Sequence, residues 1–226
     1  MHFFKLLILA GALKAQLFFV GDSITFGIGT TGYGASGSNV QGVNSFPQQT
    51  YALLKNTKLT LVKRGYPGVR ADNYASSNMA SDLLLVDNTN YRRQIVVIFW
   101  GANDIATYTD AAAILTNIKA VHAAYRAKGC KTVVVTVMNR IDAGKQVDTQ
   151  RQALNTLIRQ DWATFADDIA DLSAQPLLDA TTAPQNAAYF AANDVDGLSG
   201  VHLTDAGAAL LAAEVAKPIQ RLLLVP

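Results

Sequence analysis

LFFVGDSITFG, residues 17–27, is the stretch of this sequence that most directly indicates a fold. Its first four residues form an apolar run that is too short for a helix and rich in residues that favour strands. The hydroxyl of Ser23 follows at the point where a buried strand would reach the surface. In open α/β sheets, reactive groups lie in the crevice at the carboxyl ends of the strands. Ser23 is therefore a candidate nucleophile, although a lone serine after a strand is more often a helix cap.

The rest of the chain alternates apolar runs with stretches of helical periodicity, which predicts an α/β protein. The predicted strands are 17–20, 59–63, 94–100, 132–138 and 168–172, and the predicted helices are 47–55, 71–85, 110–128, 147–165 and 204–216. The run at 94–100 is almost continuously apolar, as expected for a central parallel strand covered on both faces. Right-handed crossovers then give a three-layer α/β/α sandwich with a five-stranded parallel sheet, in a single domain over residues 16–226.

Only one of the three histidines is well placed as the base that a serine nucleophile needs. His2 lies in the terminal segment, and His122 falls within a predicted helix, where we expect a partly exposed residue without a catalytic role. His202 lies on a loop directly before the last predicted helix, whose start Thr204 can cap. The sequence therefore points to His202 as the base.

The composition argues against several other classes of protein. The net charge is only +2 and the basic residues are scattered, so nothing indicates nucleic-acid binding. The single cysteine, Cys130, excludes an intramolecular disulfide and a cysteine metal cluster, and three scattered histidines argue against a metal site. We expect Cys130 to be a small buried residue.

The N-terminal stretch 1–15 has a basic start, an apolar run and a small residue, Ala15, at its end. This pattern favours a signal peptide over a packed N-terminal helix, although Lys14 and Leu13 fit a cleavage site poorly. Cleavage would imply a secreted or periplasmic protein, and an uncleaved helix a cytoplasmic one. The apolar run is far too short to span a bilayer.

Four motifs at predicted strand ends and at the last helix resemble the blocks of the SGNH hydrolases, the serine esterases also called the GDSL family. GDSITFG at 21–27 is similar to the first block, GAND at 101–104 to the third, and HLTDAG at 202–207 to the fifth. The second block is weaker, because RGYPG at 64–68 lacks the Asn that usually precedes its glycine. The resemblance spans most of the chain and implies a flavodoxin-like SGNH hydrolase fold.

The resemblance also implies roles for individual residues. Ser23 would attack an ester carbonyl to form an acyl-enzyme, with His202 as general base and acid. The oxyanion would be bound by the backbone N–H groups of Ser23 and Gly68 and by the side-chain amide of Asn103. Gly68 aligns best with the second block, and Gly65 is the alternative.

The sequence departs from the family at the acid of the triad. The family usually has Asp three residues before the histidine, where this chain has Ser199. Asp196 could supply the carboxylate if the loop folds back, Ser199 or a backbone carbonyl could orient a Ser23–His202 dyad, or activity could be largely lost. We favour Asp196.

Two rival functions are compatible with parts of the sequence. GIGTTG at 27–32 matches a dinucleotide-binding glycine pattern, but no helix follows it and no acidic residue ends the second strand, so we expect 27–42 to form a wall of the active site. The serine at position 199 motivates a second rival, a non-catalytic carbohydrate-binding or structural domain with a decayed esterase site.

The resemblance narrows the substrate only to esters. Enzymes of this family act on acetylated sugars, lipids, thioesters and aryl esters, generally without a metal or cofactor. Because no lid-like amphipathic insertion is present, short-acyl or acetyl esters, including acetylated carbohydrate, are favoured. We expect a small-molecule or carbohydrate ester as the partner, with no nucleic acid and no stable membrane insertion. The oligomeric state is not predicted.

Overall fold

A parallel five-stranded sheet forms the centre of the structure, a computed structural model that describes residues 14–33, 41–86, 91–142, 145–192, 194 and 197–224. In chain order the strands are β1 (Ala15–Gly21), β2 (Leu59–Gly65), β3 (Arg93–Phe99), β4 (Lys131–Val135), β5 (Ile141–Asp142), β6 (Lys145–Gln146) and β7 (Asp168–Ala170). The strand order in the main sheet is β2-β1-β3-β4-β7, and β5 and β6 pair separately as a hairpin. This is the flavodoxin-like order, and it confirms the predicted sheet.

Helices cover both faces of the sheet. In chain order they are α1 (Ser23–Phe26), α2 (Phe46–Leu54), α3 (Ala71–Ser77), α4 (Met79–Val86), α5 (Asp104–Thr107), α6 (Ala111–Ala127), α7 (Asp148–Phe165), α8 (Pro176–Asp179) and α9 (Asp205–Leu224), with short 3₁₀ turns at Leu172–Ala174 and Ala183–Gln185. Helices α2 and α9 pack together on one face, and α3, α4, α6 and α7 lie on the other. The three-layer α/β/α architecture is therefore confirmed.

The first strand shows why the sheet is buried on both sides. All seven residues of β1 are buried, and its successive phenylalanines point to opposite faces. Phe18 packs against Tyr125 of α6 and Phe19 against Phe46 of α2, each with ring centroids 5.8 Å apart. A strand packed on both faces carries a continuous apolar run, which is the pattern that identified it.

Strand β4 ends at Val135, three residues before the predicted end at position 138. The cause is a side chain of α7. Asn155 accepts a hydrogen bond from the Val137 N–H at 2.8 Å and donates one to the Val137 carbonyl, also at 2.8 Å. The backbone of Val137 is therefore bonded to a helix side chain instead of a neighbouring strand, and this turns the chain away at the carboxyl edge of the sheet.

The helices differ from prediction at two points. The predicted helix 71–85 is broken at Asn78 into α3 and α4, where the Ser77 hydroxyl donates to the Asn73 carbonyl and competes with the helical hydrogen bonds. The last helix continues to Leu224, eight residues past its predicted end at 216, with Pro218 inside it. Burial of Ile219 on the continuing apolar face outweighs the local cost of a proline in a helix.

The expectation of a partly exposed His122 is wrong, because its side chain is fully buried between α6 and α7. Position 122 lies four residues after the buried Ile118, so it is on the inward face of the helix. The ring contacts Phe165 edge-on at a centroid distance of 5.1 Å. Burial lowers the pKa of His122 to about 3, so this histidine is neutral at physiological pH.

The predicted signal peptide or N-terminal helix at 1–15 lies almost entirely outside the described residues, which begin at Lys14. Within the described part of the chain, no helix combines the length and apolar character needed to cross a bilayer. Cys130 is 4% exposed, as predicted for a small core residue.

Candidate active site

The carboxyl ends of three neighbouring strands lie at the same level of the sheet. Gly21, the last residue of β1, pairs with Gly65 at the end of β2 and with Phe99 at the end of β3. The loops that leave these strands therefore begin side by side. Three of the predicted site residues are on these loops or at their ends, which is the position where open α/β sheets carry their chemistry.

A tight turn presents Ser23 directly after β1. The Asp22 carboxylate caps α1 by accepting the Ile24 N–H at 2.9 Å, and Gly27 ends this one-turn helix with a positive φ of 96°. Ser23 is thus the first residue of a short helix at the sheet edge, and it is only 7% exposed. Its conformation is fixed by the cap before it and the glycine after it.

His202 links Ser23 to a carboxylate. Its Nε2 lies 2.9 Å from the Ser23 Oγ, and its Nδ1 is in hydrogen-bond contact with Oδ2 of Asp194. The other oxygen of Asp194 accepts the Leu198 N–H at 3.0 Å. The imidazole and the carboxylate are both buried, at 3% and 1% side-chain exposure. A hydroxyl, an imidazole and a carboxylate therefore form a continuous, water-shielded series.

The carboxylate at this position belongs to Asp194, which the sequence did not single out. The favoured Asp196 lies outside the described residues. A protonated Nδ1 has one hydrogen to donate, and the Asp194 carboxylate is placed to accept it. Asp194 is accordingly the candidate orienting group among the described residues, and the predictions of Asp196 or of a dyad oriented by Ser199 or a backbone carbonyl stay predictions.

The folding of the loop explains why spacing did not identify this acid. Asp194 donates its N–H to the Leu198 carbonyl, and its backbone carbonyl accepts the Gly197 N–H, so residues 197 and 198 lie against Asp194. Gly197 and Gly200 take positive φ values of 73° and 72°. These turns bring a carboxylate eight residues before His202 to the place that usually needs a spacing of three. The glycines in the sequence indicate that this loop can turn sharply, but they do not indicate which aspartate the turn brings to His202.

The turn after β2 distinguishes the two candidate glycines of the second block. Tyr66 to Val69 form a hydrogen-bonded turn, closed by Val69 N–H to the Tyr66 carbonyl at 3.1 Å, with a φ of 74° at Gly68. A Cβ on Gly68 would meet nothing within 4 Å, whereas one on Gly65 would lie 2.3 Å from the Phe26 nitrogen. Gly65 thus allows α1 to pack closely on β2, and Gly68 faces open space.

Asn103 follows β3 and is held by hydrogen bonds at both ends of its amide. Its Nδ2 donates to the Val69 carbonyl at 3.0 Å, which ties it to the turn that contains Gly68. Its Oδ1 accepts from Nη1 of the buried Arg140 at 3.2 Å. The arrangement joins the second and third sequence blocks directly.

Two carboxyl groups at this edge are affected by burial. Burial raises the pKa of Asp22 to about 7, opposed by the hydrogen bond from Ile24 and the charge of Arg140. Burial likewise raises the pKa of Asp104 to about 6, opposed by the hydrogen bond that its carboxylate accepts from the Ala71 N–H. Both groups are structural, because one caps α1 and the other holds the start of α3.

An open cavity of about 500 Å³ lies beside the carboxylate of the series. Gly29 and Tyr33 line it from one side and Ala191 and Asp194 from the other. The predicted wall at 27–42 therefore borders a cavity along its described residues, and its middle, 34–40, lies outside them. Among the residues that the structure describes, no group of histidine, cysteine and acidic side chains is arranged to hold a metal ion.

Asp205, at the start of α9, holds this wall in place. Its carboxylate accepts hydrogen bonds from the Thr31 N–H at 2.7 Å, the Thr31 hydroxyl at 2.6 Å and the Asn44 amide at 2.9 Å. The aspartate within the histidine motif thus anchors the loop that contains Thr31. Sequence reasoning did not identify this contact.

A serine, a histidine and a carboxylate in hydrogen-bonded series are the arrangement of the serine hydrolases. The chain belongs to the GDSL-like lipase/acylhydrolase family, whose model matches residues 19–210. That range includes all four motifs on which the resemblance rests. The protein is accordingly a serine esterase, and the resemblance stated from the motifs is confirmed.

Solved structures of the same fold cover almost the whole chain. A member of the lipolytic protein G-D-S-L family from Veillonella parvula aligns with a TM-score of 0.68 at 15% identity, over 92% of this chain and 99% of its own. The aryl esterase of M. smegmatis aligns with a TM-score of 0.67 at 15% identity, over 92% of this chain and 99% of its own. Est24, a carbohydrate acetylesterase from Sinorhizobium meliloti, aligns with a TM-score of 0.66 at 14% identity, over 92% of this chain and all of its own. A comparison with curated proteins found no match.

Proposed function

We propose that residues 16–226 form a single hydrolase domain that cleaves short-acyl or acetyl carboxylic esters through a Ser23–His202–Asp194 triad. The observation that carries the proposal is the hydrogen-bonded series from the Ser23 Oγ through both ring nitrogens of His202 to Asp194. Each neighbour in the series has the partner that its role in acyl transfer needs.

The reaction follows from this order. Ser23 Oγ attacks the ester carbonyl carbon while its proton moves to Nε2 of His202, and the same proton then goes to the departing alkoxide. Water attacks the acyl-enzyme, gives a proton to Nε2, and the acid is released as Ser23 recovers its hydrogen. Asp194 keeps the proton of the resting imidazole on Nδ1 and stabilises the imidazolium that forms in both steps.

The oxyanion is assigned to three donors at the strand ends. These are the backbone N–H groups of Ser23 and Gly68 and the side-chain amide of Asn103. The level alignment of the strand ends and the Asn103–Val69 hydrogen bond support this grouping. Each donor of this kind typically contributes about 2.7–4 kcal/mol of transition-state stabilisation.

Short acyl chains are favoured by the sequence, which carries no lid-like amphipathic insertion. The cavity of about 500 Å³ lies on the Asp194 side of the series and does not set the length of the acyl chain. Two proteins of the same fold are named as an aryl esterase and a carbohydrate acetylesterase, which supports small acyl esters as the class to test first. Acetylated carbohydrate is the natural candidate within that class.

The decayed-site alternative loses its motivation. It rested on the absence of a carboxylate three residues before His202, and Asp194 now provides a carboxylate at Nδ1. Membership of the esterase family also favours a working enzyme.

The proposal is tested by measuring hydrolysis of p-nitrophenyl esters from acetate to decanoate, and release of acetate from acetylated xylan and acetylated cellobiose. We expect the highest kcat/KM on the two- to four-carbon esters, and loss of turnover in Ser23→Ala with an unchanged melting temperature. Ser81→Ala, an exposed serine on α4, is the matched control and should keep full activity. A maximum at eight or more carbons would contradict the substrate assignment, and turnover by purified Ser23→Ala would contradict the nucleophile.

A further inference from the structure

Arg140 is a buried cation beside the candidate oxyanion site that the mechanism above does not use. It follows β4 and is only 5% exposed. Its backbone is anchored on both sides, because Asn139 donates its N–H to the Leu178 carbonyl at 2.9 Å and Ile141 donates to the Gly200 carbonyl at 3.0 Å. The guanidinium therefore extends from a fixed backbone toward the groups that it contacts.

Two hydrogen bonds of Arg140 are made to the loop after β3. One nitrogen, Nη1, donates to the Ala102 carbonyl at 3.0 Å and to the Asn103 Oδ1 at 3.2 Å. Because the guanidinium has only donors, the atom of the Asn103 amide that faces it must be the oxygen. The nitrogen of the amide is thereby turned the other way, toward the turn after β2.

The orientation of the Asn103 amide matters because it determines whether a hydrogen or an oxygen faces the oxyanion. Nδ2 carries two hydrogens, and one is donated to the Val69 carbonyl at 3.0 Å. The second is left for the oxyanion. If the amide rotated by half a turn, its oxygen would face both the Val69 carbonyl and the oxyanion, which are acceptors, so a flipped Asn103 would repel the transition state.

Charge adds to geometry at this position. Hydrogen bonds from a charged donor are about twice as strong as neutral ones, and they polarise the groups in series with them. A guanidinium on Oδ1 withdraws electron density from the amide and makes the remaining Nδ2–H a better donor. Both effects increase as negative charge develops on the substrate oxygen.

We propose that Arg140 is a positioning residue for the oxyanion hole, which acts by fixing and polarising the Asn103 amide. The inference rests on the proposed function, since it requires Asn103 to donate to the oxyanion. It adds a fourth strand, β4, to the three whose ends carry the family motifs.

A double-mutant cycle tests the proposal. Arg140→Met and Arg140→Lys are made in the wild-type protein and in Asn103→Ala, and kcat and KM are measured on p-nitrophenyl acetate. In the wild-type background we expect Arg140→Met to lower kcat about 10- to 100-fold with KM within about threefold, and Arg140→Lys to recover part of the loss. In the Asn103→Ala background, either change should lower kcat by less than about threefold. Equal losses in both backgrounds, or no loss in either, would overturn the proposal.

A second variant leaves Arg140 intact and covers the case in which its substitutions do not fold. Asn103→Asp places one carboxylate oxygen against the guanidinium and the other against the Val69 carbonyl, which the second oxygen can bond only when it is protonated. If Arg140 holds position 103, Asn103→Asp should melt at a higher temperature than Asn103→Ala at pH 4 or at pH 7, while being equally inactive. A lower melting temperature than Asn103→Ala at both pH values would show that the contact does not hold position 103. The failure of the esterase proposal is distinguished from this one by Ser23→Ala, which tests the reaction without involving Arg140.

Discussion

At the scale of single residues, the proposed mechanism depends on how Nδ1 of His202 is held. A carboxylate at this nitrogen selects the tautomer that leaves Nε2 free to take the proton of Ser23, and it offsets the charge of the imidazolium. An amide cannot offset that charge, and if its oxygen accepts the Leu198 N–H, its nitrogen faces the ring and donates to Nδ1. In the proposed mechanism, the rate therefore depends on the carboxylate of Asp194.

Asp194→Asn should lower kcat on p-nitrophenyl acetate by up to about 10⁴-fold, because it favours the wrong tautomer of His202. Its fold should persist, since the amide oxygen can still accept the Leu198 N–H. Steady-state kinetics with circular dichroism as the check on folding provide the measurement. Asp196→Asn and Ser199→Ala are the matched controls, and each should stay within about threefold of wild type. The reverse ranking would restore Asp196 as the acid.

Asn103→Ala should lower kcat by about 10²–10³ with little change in KM, since the amide acts mainly when charge has developed on the substrate oxygen. The comparison needs full saturation curves on one ester. A change confined to KM would make Asn103 a substrate-binding residue and remove it from the oxyanion hole.

The sequence was sufficient to predict that Ser23 and His202 lie together, because each is within a motif whose neighbours set its position locally. Asp22 caps the helix of the first, and Thr204 caps the helix after the second by accepting the Gly207 N–H. Asp194 could not be found in this way. Its position depends on how a glycine-containing loop folds back. Asp194 and Asp196 both precede His202 at similar spacing, so the sequence alone does not distinguish them.

At the scale of elements, the site is held together by the close approach of α1 to β2. Gly65 makes that approach possible, because the backbone of Phe26 occupies the space where a side chain would begin. Gly68, three residues later, has space for a side chain but a backbone conformation that favours glycine.

Gly65→Ala should therefore destabilise the fold by about 1–3 kcal/mol or more through overpacking against α1. Gly68→Ala is the matched control and should cost about 1 kcal/mol, from its positive φ alone. Urea unfolding of both variants gives the comparison. Equal losses of stability would show that α1 does not pack on β2 as closely as the structure has it.

Helices and strands could be predicted where the burial of residues follows the periodicity of the sequence. They were harder to predict where a distant side chain takes up backbone hydrogen bonds. All five strands of the main sheet were located from apolar runs, and the early end of β4 was not, because Asn155 on a distant helix takes the hydrogen bonds of Val137. The length of α9 was underestimated for a similar reason. Its packing on the sheet and on α2 supports a proline that local rules place at a helix end.

At the scale of the whole molecule, stability should depend on pH through Asp22. Burial raises its pKa in the fold to about 7 from an ordinary value of 3.8, so the folded state binds this proton more tightly than the unfolded state. The stabilising contribution is present below about pH 4 and is lost as the pH rises through 7. Asp104, with a raised pKa of about 6, adds to the same trend.

Asp22→Asn removes one of these groups while keeping an oxygen that can cap α1. Its free energy of unfolding relative to wild type should rise by about 1 kcal/mol or more between pH 4 and pH 8, measured by urea denaturation across that range. A difference that is the same at both pH values would mean that the Asp22 carboxyl is not perturbed by burial.

The central claim is that Ser23 is a nucleophile activated by His202, and covalent labelling tests it most directly. The protein is treated with diethyl p-nitrophenyl phosphate, and the modified residue is located by mass spectrometry of peptides. We expect one phosphoryl group per chain, on Ser23, with labelling abolished in Ser23→Ala and strongly slowed in His202→Ala and Asp194→Asn. Labelling of another residue, or of Ser23 at an equal rate without His202, would contradict the account.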